Sequence, residues 1–208
     1  MTTRGKFITL EGGDGAGKST QIKEICAYLE GNGIQVFSTR EVGGAPGAEA
    51  IRTLWLEKPQ GYWDSMTELL LIMAARREHL VKTIWPKLEK GLWVISDRFV
   101  DSTRAYQGVG LGLGVDVVDR LYHEIAGDFW PDMTLILDLP VELGVERRNG
   151  RAGQSDRYES KEHDFHNVLR HAFLDLASKD EKRFRIIDAS QNEATVSNAI
   201  KLLLQELN

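Results

Sequence analysis

The sequence predicts an α/β fold in which a parallel sheet lies between layers of helices. Five short apolar runs of strand length alternate along the chain with segments whose apolar residues recur at helical spacing. The short runs are continuously apolar rather than alternating, which indicates burial on both faces and therefore a parallel sheet covered by helices. At 208 residues we expect one domain, residues 1–208, without an internal repeat or linker.

The order of the elements follows from the spacing of the apolar residues. The apolar runs predict strands at 7–10, 34–37, 92–97, 133–138 and 184–188. Helical spacing predicts helices through 22–29, 48–56, 64–90, 117–125, 140–147, 165–176 and 196–207. Asp64 is placed to cap the long third helix, and Gly91 to end it. The segment from Asp97 to Gly114 is predicted to be a polar, glycine-containing connection.

Residues 11–20 hold the most informative motif, because G-x-x-x-x-G-K-[ST] lies there between a predicted strand and a predicted helix. This context is typical of a P-loop, in which backbone N–H groups and the helix N-terminus favour phosphate oxygens. Lys18 adds a positive charge, and the Ser19 hydroxyl can hold Mg²⁺. We therefore predict that ATP binds at Gly12, Gly13, Asp14, Gly15, Ala16, Gly17, Lys18, Ser19 and Thr20.

Composition and charge restrict the classes of function. The formal net charge of −5 does not favour nucleic acid as a partner, so any anion site must be local. We expect no membrane span, because no run of about 18 apolar residues occurs. Residues 1–6 have no apolar signal core, and the single cysteine, Cys26, excludes a disulfide within the chain. These features lead us to expect a cytoplasmic protein.

Charged side chains also follow other predicted strands. Arg40 follows the second strand, and Asp97 and Arg98 follow the third. Ligands of parallel sheets bind beyond the carboxyl ends of the strands, so these groups should share one edge with the P-loop. Asp97 can reach the same Mg²⁺ as Ser19, while the two arginines suit the phosphate of a second ligand. Two phosphate-bearing ligands favour a nucleotide kinase over an ATPase.

A cluster of arginines near residue 150 predicts a lid. Four arginines interrupted by two glycines suit a loop, residues 147–158, that closes over phosphates: Arg147, Arg148, Arg151 and Arg157. Phosphoryl transfer depends mostly on positioning and electrostatics, so lid arginines could be catalytic. The alternative of another class is a non-catalytic switch protein, but no Asn-Lys-x-Asp or Thr-Lys-x-Asp guanine-recognition motif occurs.

Three stretches resemble the thymidylate kinases, which phosphorylate dTMP with ATP: residues 11–20, 39–44 and 97–108. The resemblance extends over essentially the whole chain. It implies the P-loop nucleoside monophosphate kinase fold, with a five-stranded parallel sheet flanked by helices and a short lid. It also implies Mg²⁺ and a homodimer paired through helices, including the long helix from Asp64.

The resemblance also implies roles for individual residues. Asp14 would bond the 3′-hydroxyl of dTMP, and Arg40 and Arg98 would hold its phosphate. The base and sugar would contact Met73, Arg77, Thr103, Tyr106 and Gln107. Family members carry a catalytic arginine either in the P-loop, where this chain has Gly15, or in the lid. The chain resembles the second, bacterial type, which makes Lys18, Asp14, Arg98, Arg148 and Arg151 the catalytic candidates.

Met73 departs from the family pattern, because it stands where a phenylalanine stacks on thymine. A thioether can lie on a base but stacks less well than an aromatic ring. A register shifted by one residue would bring Ile72 and Arg76 to these places, and Met73 could also be an ordinary core residue. The departure leaves open a kinase of another pyrimidine monophosphate, such as dUMP.

Overall fold

The computed structural model describes residues 4–59, 61–149 and 163–207, without the side chains of Arg148 and Asn149. The strands are β1 (Phe7–Glu11), β2 (Val36–Arg40), β3 (Trp93–Asp97), β4 (Met133–Asp138) and β5 (Phe184–Asp188). The helices are α1 (Lys18–Gly31), α2 (Pro46–Leu56), α3 (Ser65–His79), α4 (Trp85–Glu89), α5 (Val100–Thr103), α6 (Val115–Ala126), α7 (Val141–Asn149), α8 (His163–Lys179) and α9 (Glu193–Leu204). Leu80–Ile84 and Arg104–Gly110 are π-helical, and Gln205–Leu207 is a 3₁₀ turn.

Within these ranges the five strands form one parallel sheet in the order β2-β3-β1-β4-β5. The predicted α/β class is therefore confirmed. Asp97 at the end of β3 is in register with Leu10 on one side and Arg40 on the other. The ends of β1, β2 and β3 consequently meet at one edge of the sheet, as the sequence predicts.

Apolar helices cover both faces of the sheet. Neighbouring residues of β1 point to opposite layers: Ile8 packs in a cluster with residues of α1 and α9, and Phe7 packs in a cluster with residues of α3, α4 and α6. Both side chains are fully buried. Burial on both faces explains why the strands are continuously apolar. No helix in the described part of the chain is long and apolar enough to cross a membrane.

The long predicted helix has an interruption near its C-terminal end. Asp64 caps α3 as expected, because its Oδ1 accepts hydrogen bonds from the N–H groups of Met66 at 3.0 Å and Thr67 at 3.1 Å. The π-helical turn then lies between α3 and α4 and directly precedes Pro86. Proline has no N–H and clashes with the preceding turn of an α-helix, so a wider turn accommodates it.

The polar connection that the sequence predicts from Asp97 to Gly114 is largely helical, because α5 and a π-helical turn occupy most of it. Several of its polar side chains are buried against distant elements. Asp101 pairs with Arg183 before β5, and Gln107 donates to Glu68 of α3 at 3.0 Å. Tertiary partners for polar groups therefore allow this segment to be both helical and buried.

The Asp101–Arg183 pair anchors this segment to the far half of the sheet. Both carboxylate oxygens of Asp101 accept from the guanidinium of Arg183, at 2.6 and 3.1 Å, and Asp101 is fully buried. Arg183 also donates to the Thr134 hydroxyl at 2.9 Å. Asp101 also accepts from Nη1 of Arg104 at 3.0 Å, so removing Arg183 would leave the buried carboxylate with one cation instead of two.

We expect Arg183→Met to lower the free energy of unfolding by about 2–3 kcal/mol, because the buried carboxylate of Asp101 loses two charged hydrogen bonds and keeps only Arg104. Arg185→Met is the matched control, since Arg185 pairs with Glu206 at the surface. This control should lower the free energy of unfolding by no more than about 1 kcal/mol. Urea unfolding of both variants measures the difference. Equal losses would show that the buried pair contributes no more to the free energy of unfolding than the surface pair does.

Candidate active site

The P-loop takes its shape from glycines and from its contact with β4. Gly12, Gly15 and Gly17 have φ values of 126°, 81° and 91°, in the left-handed region that favours glycine. A Cβ atom at Gly12 would lie 2.5 Å from the Leu137 carbonyl oxygen, so no larger residue fits there. The loop ends where α1 begins, which places N–H groups of the first turn at the cleft.

Lys18 lies inside this loop. Its Nζ donates to the carbonyl oxygens of Gly12 at 3.1 Å and Gly13 at 2.9 Å. Burial, together with the positive charge of Arg98, lowers the pKa of Lys18. The amine is therefore held beside the position that phosphate oxygens would take in a P-loop.

A cleft of about 250 Å³ opens in front of the loop. Its lining combines cations, carboxylates and P-loop backbone: Asp14, Gly15, Gly17, Lys18, Ser19, Arg40, Glu41, Arg52, Asp97 and Arg98. The structure thus brings together the predicted residues from the ends of β1, β2 and β3. Arg52 of α2 was missed by sequence reasoning, because no motif marks it. Its Nη1 donates to the Val42 carbonyl at 2.6 Å.

Ser19 and Asp97 are arranged as the sequence predicts for a magnesium site. The Ser19 hydroxyl donates to Oδ2 of Asp97 at 3.4 Å. The other carboxylate oxygen, Oδ1, is buried and has no hydrogen-bond partner among the described residues. No group of three acidic, histidine or cysteine ligands occurs in the described ranges. Mg²⁺ in nucleotide sites needs only one or two protein oxygens besides phosphates and water, so these residues fit it.

Arg98 links the two sides of the cleft. Its Nη2 donates to Oδ1 of Asp14 at 2.6 Å, and its Nη1 donates to the Gly12 carbonyl and the Ser102 hydroxyl, both at 3.1 Å. The guanidinium carbon also lies 5.3 Å from the centre of the Tyr106 ring. Arg98 is therefore positioned between the P-loop and the segment predicted to bind a second nucleotide.

The residues predicted to bind a base are brought together, with one correction. Arg76, not Arg77, lies beside the others: its Nη2 donates to the Thr103 hydroxyl at 2.8 Å and its Nη1 lies 3.5 Å from Sδ of Met73. Arg77 instead donates to the Ile125 carbonyl at 2.6 Å. Successive helical residues point about 100° apart, so one position decides which arginine faces the cleft side. Arg77 therefore lies apart from these residues, and Arg76 stands in the place expected for it, as in the register shifted by one residue. Of the two candidates for contact with the base, Ile72 packs in one buried cluster with Tyr106, while Met73 packs in another with Phe99.

Behind Arg76 lies a buried network that the sequence did not reveal. Glu41 accepts from Nε of Arg76 at 2.7 Å and contacts Nδ1 of His79 at 2.9 Å. The other ring nitrogen of His79 lies 2.7 Å from the Thr39 hydroxyl. Burial alone would raise the pKa of Glu41, but Arg76 and His79 outweigh burial and hold it below its usual value. The Glu41 carboxylate therefore holds the guanidinium of Arg76 in one orientation through its Nε.

Helix α7 touches the P-loop backbone directly. A Cβ atom at Gly15 would lie 2.4 Å from the Gly144 carbonyl oxygen, and one at Gly144 would lie 2.8 Å from that of Asp14. No side chain, and therefore no arginine, fits at position 15. Near the end of α7, Arg147 donates to the Ala189 carbonyl at 2.8 Å. The side chain of Arg148 and the whole of Arg151 lie outside the described residues, as does most of the predicted lid.

Glu11 is a second buried group that sequence reasoning missed, although it ends an apolar strand. Its carboxyl oxygens accept from the Phe99 N–H at 2.8 Å and from the Ser102 hydroxyl at 2.5 Å. Burial and the nearby charge of Asp101 raise the pKa of Glu11 from 4.5 to about 8. The carboxyl group is therefore mostly protonated at neutral pH in the folded protein.

The raised pKa of Glu11 predicts a pH dependence of stability. Between pH 4.5 and about 8 the folded protein keeps a proton that the unfolded chain releases, so this contribution falls as the pH rises. Glu11→Gln removes the titration, and the free energy of unfolding should then decline less over this range. Urea unfolding of both proteins at several pH values measures the two slopes. Parallel slopes would contradict a protonated Glu11.

Comparison with known proteins is consistent with this geometry. The family model described as "Thymidylate kinase" matches residues 10–200. A thymidylate kinase of Marinomonas sp. (strain MWYL1) is 48% identical over 205 residues, which are 99% of this chain and 96% of the relative. A thymidylate kinase of Bradyrhizobium sp. (strain ORS 278) is 46% identical over 95% of this chain and 88% of the relative. That of Vesicomyosocius okutanii subsp. Calyptogena okutanii (strain HA) is 46% identical over 98% of this chain and 99% of the relative.

These matches cover almost the whole chain, including the P-loop and the Asp97–Arg98 segment. Their identities of 46–48% are too high to reflect a shared fold alone. The chain belongs to the thymidylate kinase family.

Proposed function

We propose that the protein transfers the γ-phosphate of ATP to dTMP and so forms dTDP and ADP. The observation that carries this function is the position of Arg98, which joins the P-loop to the acceptor-side residues within one cleft. Relatives that match almost the whole chain are named thymidylate kinases. We place the activity in the cytoplasm.

On the donor side, the P-loop backbone from Gly12 to Thr20 and the Lys18 amine would hold the phosphates of ATP. Ser19 and Asp97 would hold Mg²⁺, Asp97 through water, and the ion would neutralise charge on the transferred group. The exclusion of a side chain at Gly15 supports a catalytic arginine from the lid. Arg148 and Arg151 are proposed for that role.

On the acceptor side, Arg98 and Arg40 would hold the dTMP phosphate. Arg40 is exposed and only weakly engaged with Glu49 at 3.3 Å, so it can turn to a ligand. Arg52 lines the same cleft and adds positive charge. Asp14, held by Arg98, would accept from the sugar hydroxyl. Three cations around one phosphate favour a monophosphate acceptor over a neutral nucleoside.

The base and sugar would lie against the buried acceptor-side residues. Tyr106 would pack under the deoxyribose, with Gln107 beside it held by Glu68. Met73, or Ile72 in the shifted register, would lie on the pyrimidine, and Thr103 and Arg76 would bond its edge. Because Glu41 accepts from Nε of Arg76, the guanidinium is held in one orientation, and its Nη groups beside Thr103 and Met73 are the ones that would bond a carbonyl oxygen of the base.

A second candidate, a kinase of another pyrimidine monophosphate, is favoured only by Met73 in place of an aromatic ring. A coupled assay with dTMP, dUMP, CMP, UMP and AMP separates the two. We expect the highest kcat/KM with dTMP. A higher value with another acceptor would overturn the substrate assignment, and ATP binding without phosphorylation of any acceptor would favour a switch protein.

The same assay tests Arg76. Arg76→Lys keeps a positive charge beside Glu41 but loses the planar fork, so we expect the KM for dTMP to rise about tenfold or more. Arg77→Lys is the matched control one residue away, and we expect it to leave this KM unchanged within about twofold. The reverse order of effects would restore the assignment of Arg77.

We also propose a homodimer that pairs through α2 and α3. These two helices pack against each other and carry exposed apolar side chains: Leu54, Met66 and Leu70 are 43%, 39% and 49% exposed. Leu70→Arg should shift the protein towards monomer in light scattering after gel filtration. Leu202→Arg on α9, where Leu202 is 66% exposed, should leave the mass unchanged. A monomeric wild-type protein would contradict the proposal.

A further inference from the structure

Arg98 has an unusual backbone for an arginine. Its φ is 65°, and it is the only non-glycine residue with positive φ in the described ranges. An L-residue in this region brings Cβ close to a carbonyl oxygen, so the conformation persists only where the surroundings impose it. Its position next to Asp97, in the cleft, suggests that the conformation serves the site.

The left-handed turn explains why two successive residues face the same cleft. Along an extended strand, neighbouring side chains point to opposite faces. Asp97 ends β3, yet both Asp97 and Arg98 line the cleft. The turn at Arg98 therefore brings the guanidinium back towards the P-loop, where it meets Asp14 and Gly12.

Three hydrogen bonds hold this turn. The Arg98 N–H donates to the Leu10 carbonyl at 2.9 Å, and the Ser96 hydroxyl donates to the Arg98 carbonyl at 2.7 Å. The next N–H, that of Phe99, donates to Oε1 of Glu11 at 2.8 Å. Ser96 and Glu11 are fully buried, so water cannot replace them. The peptide group after Arg98 is thus fixed at its carbonyl by Ser96 and at its N–H by Glu11, two side chains that lie outside the cleft, while the peptide group before Arg98 is held by the backbone of Leu10.

We propose that Glu11 and Ser96 are positioning residues, which hold Arg98 in its left-handed conformation and thereby set the affinity of the cleft for the acceptor phosphate. This inference rests on the proposed function of Arg98 as a phosphate ligand. Neither residue lines the cleft. Both act through the backbone of Arg98, and Glu11 also through Ser102, which accepts from Arg98.

The test compares the dissociation constants of thymidine and dTMP, which differ only in the phosphate. We use the ratio of the dissociation constant of thymidine to that of dTMP, which is large when the phosphate strengthens binding. This ratio separates the contribution of the phosphate site from general effects on folding or base binding. We expect Ser96→Ala and Glu11→Leu to lower this ratio about three- to tenfold, as expected for a misplaced charged hydrogen bond. Glu11→Gln keeps an oxygen that can accept from the Phe99 N–H, so it should restore most of the ratio.

Thr9→Val is the matched control. Thr9 is fully buried on the same strand as Glu11 and bonds the Thr134 hydroxyl at 2.9 Å, without contact to Arg98. This variant loses a buried hydrogen bond but should keep the ratio of wild type. A loss in Thr9→Val equal to that in Ser96→Ala would overturn the proposal, because it would show a general effect of the core.

Arg98→Ala separates the inference from the function on which it rests. If Arg98 binds the phosphate, this variant should lower the ratio by about tenfold or more. An unchanged ratio in Arg98→Ala would refute the phosphate role itself. A lowered ratio in Arg98→Ala with wild-type ratios in Ser96→Ala and Glu11→Leu would refute only the positioning role. Ser96→Ala removes a single hydroxyl, so it decides the question if Glu11→Leu does not fold.

Discussion

The buried carboxyl group of Glu11 is the constraint on which the site depends. It ends the central strand, one residue before the P-loop, and binds the backbone and hydroxyl groups that follow β3. A buried polar group is stable only when its partners are in place, so this contact requires the donor loop and the acceptor segment to keep one relative position. The two halves of the phosphoryl-transfer site are therefore joined inside the protein rather than through their ligands.

A second constraint acts between the P-loop and α7. Gly15 and Gly144 let two backbones approach so closely that neither position accepts a side chain. This contact gives a steric reason for the absence of an arginine in the loop, and α7 leads towards the arginine-rich segment that the sequence marks as a lid. The same backbone contact thus excludes an arginine from the loop and packs α7 against it.

The acceptor side shows which features a sequence motif can predict and which it cannot. The segment 97–108 and Met73 marked the right region, but the choice between Arg76 and Arg77 depended on the rotation of α3, which no local pattern reports. Arg76 is selected because its Nε meets the buried anion of Glu41, while Arg77 packs against α6. Glu41 and His79 were invisible as partners, since they are separated by 38 residues and meet only after folding.

The sequence by itself determined the alternation of strands and helices, the P-loop and the groups at the strand ends, because apolar periodicity and glycine spacing act over a few residues. It also indicated the family, whose motifs are local. Only the tertiary structure decided that residues 100–110 are helical, that Arg52 shares the cleft and that Arg98 turns back beside Asp97. These features depend on partners far away in the chain, such as Arg183 for Asp101 and Glu11 for Phe99. Burial of polar groups, unlike periodicity, is settled only when those partners meet.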